Sequence, residues 1–174
     1  MTDITVEQVE LVNRDGTTTG TASKSEAHAA PGQLHRAVSV VILDDDDRTL
    51  LQRRAPDTYH FANRWSNTCC THPRPGEAPS ATAQRRLSEE MGLSLELTEM
   101  GNFRYRAVDP VSGLVENEHD HVFVGRFTGT PRPDGRVVSD WTWAHIAVLR
   151  RRLSADPDSY TPWLPLVLDI AGVN

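Results

Sequence analysis

One helical stretch lies between two groups of β-rich segments, and that placement restricts the fold more than any other feature. In "PSATAQRRLSEEMG", Ser80 follows Pro79 and can cap a helix. Ala81, Leu87 and Met91 are apolar, and Gly92 suits the position just past a helix end. The pattern predicts a helix over 80–91. Upstream, "ITVEQVELVNRDGTTTG" reads as two strands joined by a turn at Asp15-Gly16. "RAVSVVIL" (36–43) reads as a buried strand, "DDDD" (44–47) as a solvated turn, and "TLLQRR" as the return strand. "KSEAHAAPGQLH" and residues 55–66 read as loops. Downstream, 94–106, 114–127 and 137–144 are β-rich. From His145 a helix with a basic stripe (Arg150, Arg151, Arg152) is expected, then the short segment "YTPWLPLVLDI". The order predicts an α+β fold, a mixed sheet sandwich flanked by helices. The 174 residues fit one domain, 1–174, with 1–25 supplying N-terminal strands.

Composition narrows the function classes. A net charge of −6 argues against a general nucleic-acid binder. No apolar run approaches the roughly 20 residues of a membrane span. The opening "MTDITVEQVELVN" lacks the basic and apolar regions of a signal peptide. With its thiols free, the chain is expected in the cytoplasm.

Both cysteines sit in "NTCCTHP", as Cys69 and Cys70. Adjacent Cα atoms lie about 3.8 Å apart, whereas disulfides need roughly 4.4 to 6.8 Å. At least one free thiol follows. It is either a small buried hydrophobe, a reactive group or a metal ligand. In "LVENEHDHVFV", Glu116, Glu118 and Asp120 share one strand face. That face continues through Val122 and Val124 into what reads as core. Buried carboxylates side by side are costly unless a cation lies between them, so a metal or catalytic role outweighs a solvent-facing strand. His119 and His121 fall on the opposite face and read as outer residues, as do His60 and His145.

On the helix, Arg86 and Glu90 stand at i, i+4, the spacing of a surface ion pair. The surrounding residues resemble the Nudix pattern G-x5-E-x7-R-E-U-x-E-E-x-G-U. Glu77, Arg85, Glu89, Glu90, Gly92 and Leu93 match it. Thr71 replaces the first Gly, and Arg86 replaces the Glu that binds metal in Nudix hydrolases. That exchange inverts the local charge and argues against hydrolysis.

Taken with "AHAAPGQLHRAVS", "LLQRRA", "FRYRAVDPVSGLVENEHDH" and "TPW", these motifs resemble the type I isopentenyl diphosphate isomerases. That family has a Nudix fold and does not hydrolyse its substrate. The resemblance spans about 28–163. It implies that Cys70 is the catalytic thiol and that Glu118 is its acid/base partner on the other substrate face. It also implies that Tyr105 is a supporting donor and that Trp163 steadies a carbocation, although a core aromatic fits Trp163 equally well. A metal site of His28, His35, His72, Glu116 and Glu118 follows, suited to Mg²⁺, Mn²⁺ or Zn²⁺. Glu90 would hold a second Mg²⁺ against the diphosphate, gripped by Lys24, Arg54 and Arg86. The implied partner is a small prenyl diphosphate, with neither nucleic acid nor membrane; the oligomeric state is not implied.

The loop "APDTYHFANRW" departs from the family: 56–64 contain no Lys and no Pro-Gly, and Arg64 is the residue that could compensate. This departure supports an alternative, a divergent member that shifts a double bond in, or cyclises, another prenyl diphosphate. A Nudix hydrolase and a non-catalytic metal-stabilised protein are weaker alternatives. Arg86 opposes the first, and the Cys70 and Glu118 pair opposes the second.

Overall fold

A computed structural model describes residues 7–173; residues 1–6, where the first expected strand begins, lie outside the described part. A hairpin, β1 (Gln8–Val12) and β2 (Thr18–Ser23), turns through Gly16 at φ 87°. Then come α1 (Lys24–His28), β3 (His35–Leu43), β4 (Arg48–Arg54), β5 (Trp65–Ser66) and β6 (Cys69–Thr71). Helix α2 (Pro79–Met91) precedes β7 (Thr98–Val108), β8 (Val115–Arg126) and β9 (Val138–His145). Helices α3 (Ile146–Ala155) and α4 (Leu164–Ile170) close the chain. The sheet is mixed. β3 runs parallel to β8 with His35 opposite Glu118, and antiparallel to β6 with Ser39 opposite Cys70.

The period-2 alternation of strand side chains splits the core into two layers. Val38, Val40, Ile42, Leu50 and Phe123 face α2 through Ala83, Leu87 and Met91. Val41, Leu51 and Val122 face α3 and α4 through Leu149, Leu164, Val167 and Leu168. The mixed sheet flanked by helices is the α+β arrangement expected from the segment order.

Three local expectations need correction. "KSEAH" is helical, not loop. Ser23 caps α1 in a capping box with Glu26, the S-x-x-E spacing being visible in the sequence. α2 starts one residue earlier than expected, because Ala78 is its N-cap without a side-chain bond and Pro79 takes the first turn, where its missing N–H costs nothing. The first downstream strand begins at Thr98, not 94, because 94–97 run as irregular chain before β7. Gly92 ends α2 at φ 65°, as its position predicted.

Glu77 and Arg85 close the loop ahead of α2. Arg85 donates to both Glu77 oxygens, at 2.7 and 2.8 Å, with side chains only 17% and 22% exposed. These bonds hold the Glu77 carboxyl at about 2, below its ordinary 4.5. The lowered value contributes stability that is full above pH ~4.5 and lost as pH falls through ~2. Glu77→Gln is therefore expected to cost about 1–2 kcal/mol at pH 7, after allowance for solvent screening. Denaturant unfolding should show its gap from wild type closing between about pH 5 and 2. A pH-independent gap would mean that the carboxylate charge contributes nothing.

Candidate active site

Strand parity delivers the central groups. On β3, His35 and Ser39 point to the α3/α4 side. Their neighbours across the sheet, Glu118 on β8 and Cys70 on β6, point the same way. Cys69, opposite Val40, is fully buried in the other layer. Both thiols are free, where adjacency had implied at least one. Tyr105 of β7 is paired across the strands with Glu118, and its hydroxyl donates to Glu118 Oε2.

Cys70, Glu118 and Tyr105 open onto a cavity of about 450 Å³. Cys70, His72, Glu90, Tyr105, Glu116, Glu118 and Trp163 line it. Lys24, Arg54 and Arg86 line it as well, so these cations share one space with the thiol. Cys70 Sγ donates to Asn67 Oδ1 at 3.0 Å and receives Trp163 Nε1–H at 3.3 Å. Burial, then the nearby Asp120 carboxyl, pushes the thiol up to about 11. Asp120 is itself raised to about 7 by burial, against a hydrogen bond from Ser39 at 2.7 Å. The Trp163 ring stacks Arg54 at 5.6 Å, so its face already accommodates a cation.

His28, His35, His72, Glu116 and Glu118 bring one ligand atom each to within 4.8 Å of one another, all five residues buried. The histidine tautomers bear on what this cluster can hold. His28 Nδ1 lies 2.6 Å from the Lys24 carbonyl, and His35 Nδ1 lies 2.8 Å from the Gln33 carbonyl. A carbonyl only accepts, so both protons sit on Nδ1 and both Nε2 atoms present lone pairs to the cluster. His28 Nε2 is 3.2 Å from Glu116 Oε2, and neither atom has a hydrogen-bond partner among the described residues. Two lone pairs facing each other in a buried site repel, and a cation between them reverses the sign. Burial, followed by the neighbouring His28, holds His35 at about 4; burial, followed by His35, also keeps His72 well below its ordinary value. Three imidazoles and two carboxylates therefore fit a divalent cation.

The carboxylates divide by environment. Burial raises both, but at Glu116 it is outweighed by His60 and His28, which keep that group ionised. Glu118 is pushed well above its ordinary value by burial and then by the charges of Glu116 and Asp120. Burial and the Glu118 charge likewise keep Tyr105 protonated as a donor.

The cations lining the cavity at Lys24 and Arg86 are paired internally. Lys24 Nζ lies 2.8 Å from Glu7 Oε2 and 4.7 Å above the Tyr59 ring. Arg86 pairs with Glu89 at 2.9 Å and with Glu90, whose other oxygen accepts from Gln52 at 3.0 Å. Arg64 does not line the cavity. It donates to the Tyr160 carbonyl at 3.1 Å and lies 5.4 Å from the Phe61 ring centroid. Arg136 lines the cavity and was not anticipated.

His60 is the main residue that the sequence did not disclose. It is 3% exposed and bonded to Glu116, not an outer-face residue. The only sequence signal was its place in the departing loop beside Tyr59. His119 is also buried, under Gly16 of the β1–β2 turn, where an added Cβ would stand 2.9 Å from its ring.

The NUDIX domain model matches residues 33–164. Solved structures similar in fold include DR0079 from Deinococcus radiodurans, with TM-score 0.77 and 18% identity over 94% of this chain and 99% of that one. A MutT protein from Methanosarcina mazei aligns with TM-score 0.64 and 14% identity over 80% and 94%. The chain therefore carries a Nudix domain. Among curated relatives, the isopentenyl-diphosphate Delta-isomerase of Nocardia farcinica is 49% identical, over 94% of this chain and 93% of its own. That of Streptomyces griseus is 51% identical over 94% and 82%, and isomerase 1 of Aromatoleum aromaticum is 48% identical over 94% and 91%. At that identity and coverage the chain belongs to the isopentenyl-diphosphate Delta-isomerase family.

Proposed function

We propose that this chain interconverts isopentenyl diphosphate and dimethylallyl diphosphate by protonation and deprotonation through a tertiary carbocation. Among the site features, the supporting observation is that Cys70 and Glu118 line one cavity from strands on either side of β3. Adding a proton to the terminal CH₂ of the substrate alkene places positive charge on the branched carbon. Loss of a proton from the adjacent CH₂ on the diphosphate side gives the product. One group must supply a proton as another takes one, and general acid–base groups must lie on both faces of the substrate. Cys70 and Glu118 are assigned those two roles.

Tyr105 donates to Glu118 Oε2 and fixes which oxygen faces the cavity. Trp163 positions Cys70 through its Nε1–H and offers its ring to the cationic centre. Lys24, Arg54 and Arg86 are assigned to the diphosphate. The Arg at position 86 binds substrate phosphate where a hydrolase would carry a metal-binding Glu.

His28, His35, His72, Glu116 and Glu118 are assigned as ligands of one divalent cation, Mg²⁺, Mn²⁺ or Zn²⁺, and Glu90 as a ligand of a second Mg²⁺ with the diphosphate. Such a cation supplies fixed positive charge beside Glu118 and so shifts the carboxyl toward its ionised form. Mn²⁺ at 100 times its Kd should stabilise metal-stripped protein by about 2.7 kcal/mol, or roughly 5–10 °C in Tm for a chain of this size. His35→Ala should abolish that shift. A wild-type Tm that ignores Mn²⁺ would contradict the metal assignment.

A second reading, a divergent member acting on another prenyl diphosphate, draws on the loop at 55–64, which brings Tyr59 and His60 to the cavity. Phosphorus NMR of the reduced protein with Mg²⁺ and isopentenyl diphosphate tests both. Dimethylallyl diphosphate as sole product supports the isomerase. No turnover, with turnover of a longer prenyl diphosphate, supports the second reading. Released inorganic phosphate would overturn both.

A further inference from the structure

We infer that His60 is a positioning residue that orients Glu116 for the metal and links that carboxylate to the substrate-binding cation Arg54. The inference rests on the metal reading above and concerns a histidine outside the five-residue cluster.

The hydrogen-bond directions determine its role. Arg54 NH2 reaches His60 Nδ1 at 3.3 Å and the His60 carbonyl at 3.1 Å. A guanidinium only donates, so Nδ1 accepts and the ring proton sits on Nε2. That N–H meets Glu116 Oε1. His60 is thus a donor to the carboxylate and presents no lone pair to a metal. With Oε1 committed, Glu116 turns Oε2, which has no hydrogen-bond partner among the described residues, toward His28 Nε2 at 3.2 Å. One oxygen is held so that the other can bind. Outer donors of this kind fix the orientation of metal-ligating groups.

The ring is held from several sides. Tyr59 stacks on it at 3.9 Å and 17°, and Phe61 and Trp163 flank it at 5.4 and 6.2 Å, themselves 5.3 Å apart. The loop behind it is pinned by Phe61 N–H to Asp109 Oδ2 at 3.2 Å and by Arg54 N–H to the Arg64 carbonyl at 3.0 Å. A loop anchored at both ends thus carries a directed donor into the metal cluster. Through Arg54, the same imidazole connects the anion-binding side of the cavity to the metal side.

The test is Mn²⁺ binding to the metal-stripped full chain, read by calorimetry and by the electron spin resonance of free Mn²⁺. His60→Phe keeps an aromatic ring for Tyr59 but removes the donor. It should weaken Mn²⁺ binding about 10–100-fold. His60→Gln can donate from its amide nitrogen to Glu116 and accept from Arg54 at its amide oxygen, and should keep most of the affinity. If His60→Phe does not fold, His60→Asn, too short to span both partners, takes its place. Wild-type affinity in the donor-less variant would overturn the inference. Equal loss in His60→Gln and His60→Phe would also overturn it, and would make the imidazole a direct ligand. Failure of wild type itself to bind Mn²⁺ would overturn the metal reading, and this inference with it.

Discussion

Cys70→Ala is expected to lower kcat by about 10²–10⁴-fold, the range general acid–base groups supply, with little change in Tm. The fold should tolerate the loss because no partner is orphaned. Trp163 Nε1 also donates to Ser66 Oγ at 3.1 Å, and Asn67 Oδ1 also accepts from Ser66 at 3.1 Å. Cys69→Ala is the matched control. Cys69 is fully buried on the other face of the sheet, so its loss should cost roughly 1 kcal/mol of stability and leave kcat nearly unchanged. Steady-state kinetics and thermal melts on the two variants separate the roles. Full turnover by Cys70→Ala would remove the thiol from the mechanism.

Glu118→Gln is expected to lower kcat by a similar factor, about 10²–10⁴. The substitution keeps the shape and an acceptor for Tyr105, but removes the titratable proton and the charge that faces His35 and His72, 3.5 and 2.8 Å away. The double variant, Cys70→Ala with Glu118→Gln, should fall little below the worse single variant, because two groups that act in one turnover do not lose independently. Multiplied losses would mean that the two residues serve separate steps. A Glu118→Gln enzyme within tenfold of wild type would contradict the acid–base assignment.

What the sequence disclosed follows the regularity of each element. Along β8 a period of two places Glu116, Glu118 and Asp120 on one buried face, with Val122 continuing it. The same parity separates Cys69 from Cys70 between the two core layers. In α2, helical periodicity and the terminal Gly92 set the apolar face and the end of the helix. The loop around His60 obeys no such period. Its path turns at Phe61 and Asn63, with φ of 46° and 63°, and is held by Asp109, far along the chain. Those long-range contacts, and not local preference, carry His60 to Glu116. Arg64 illustrates the converse: its charge suggested a phosphate contact, but the loop turns it to the Tyr160 carbonyl. Helix α1 was legible in principle through Ser23 and Glu26, but at five residues it is too short to show an apolar period.

Turnover in D₂O is the deciding measurement for protonation and deprotonation by Cys70 and Glu118. Reduced protein, Mg²⁺ and isopentenyl diphosphate are mixed in D₂O, and the product is read by proton and deuterium NMR. Dimethylallyl diphosphate with deuterium in a methyl group is expected, because the proton added at the terminal carbon comes from a group exchanging with solvent. Product free of deuterium would show that the hydrogen moves within the substrate, and would contradict a mechanism carried by Cys70 and Glu118.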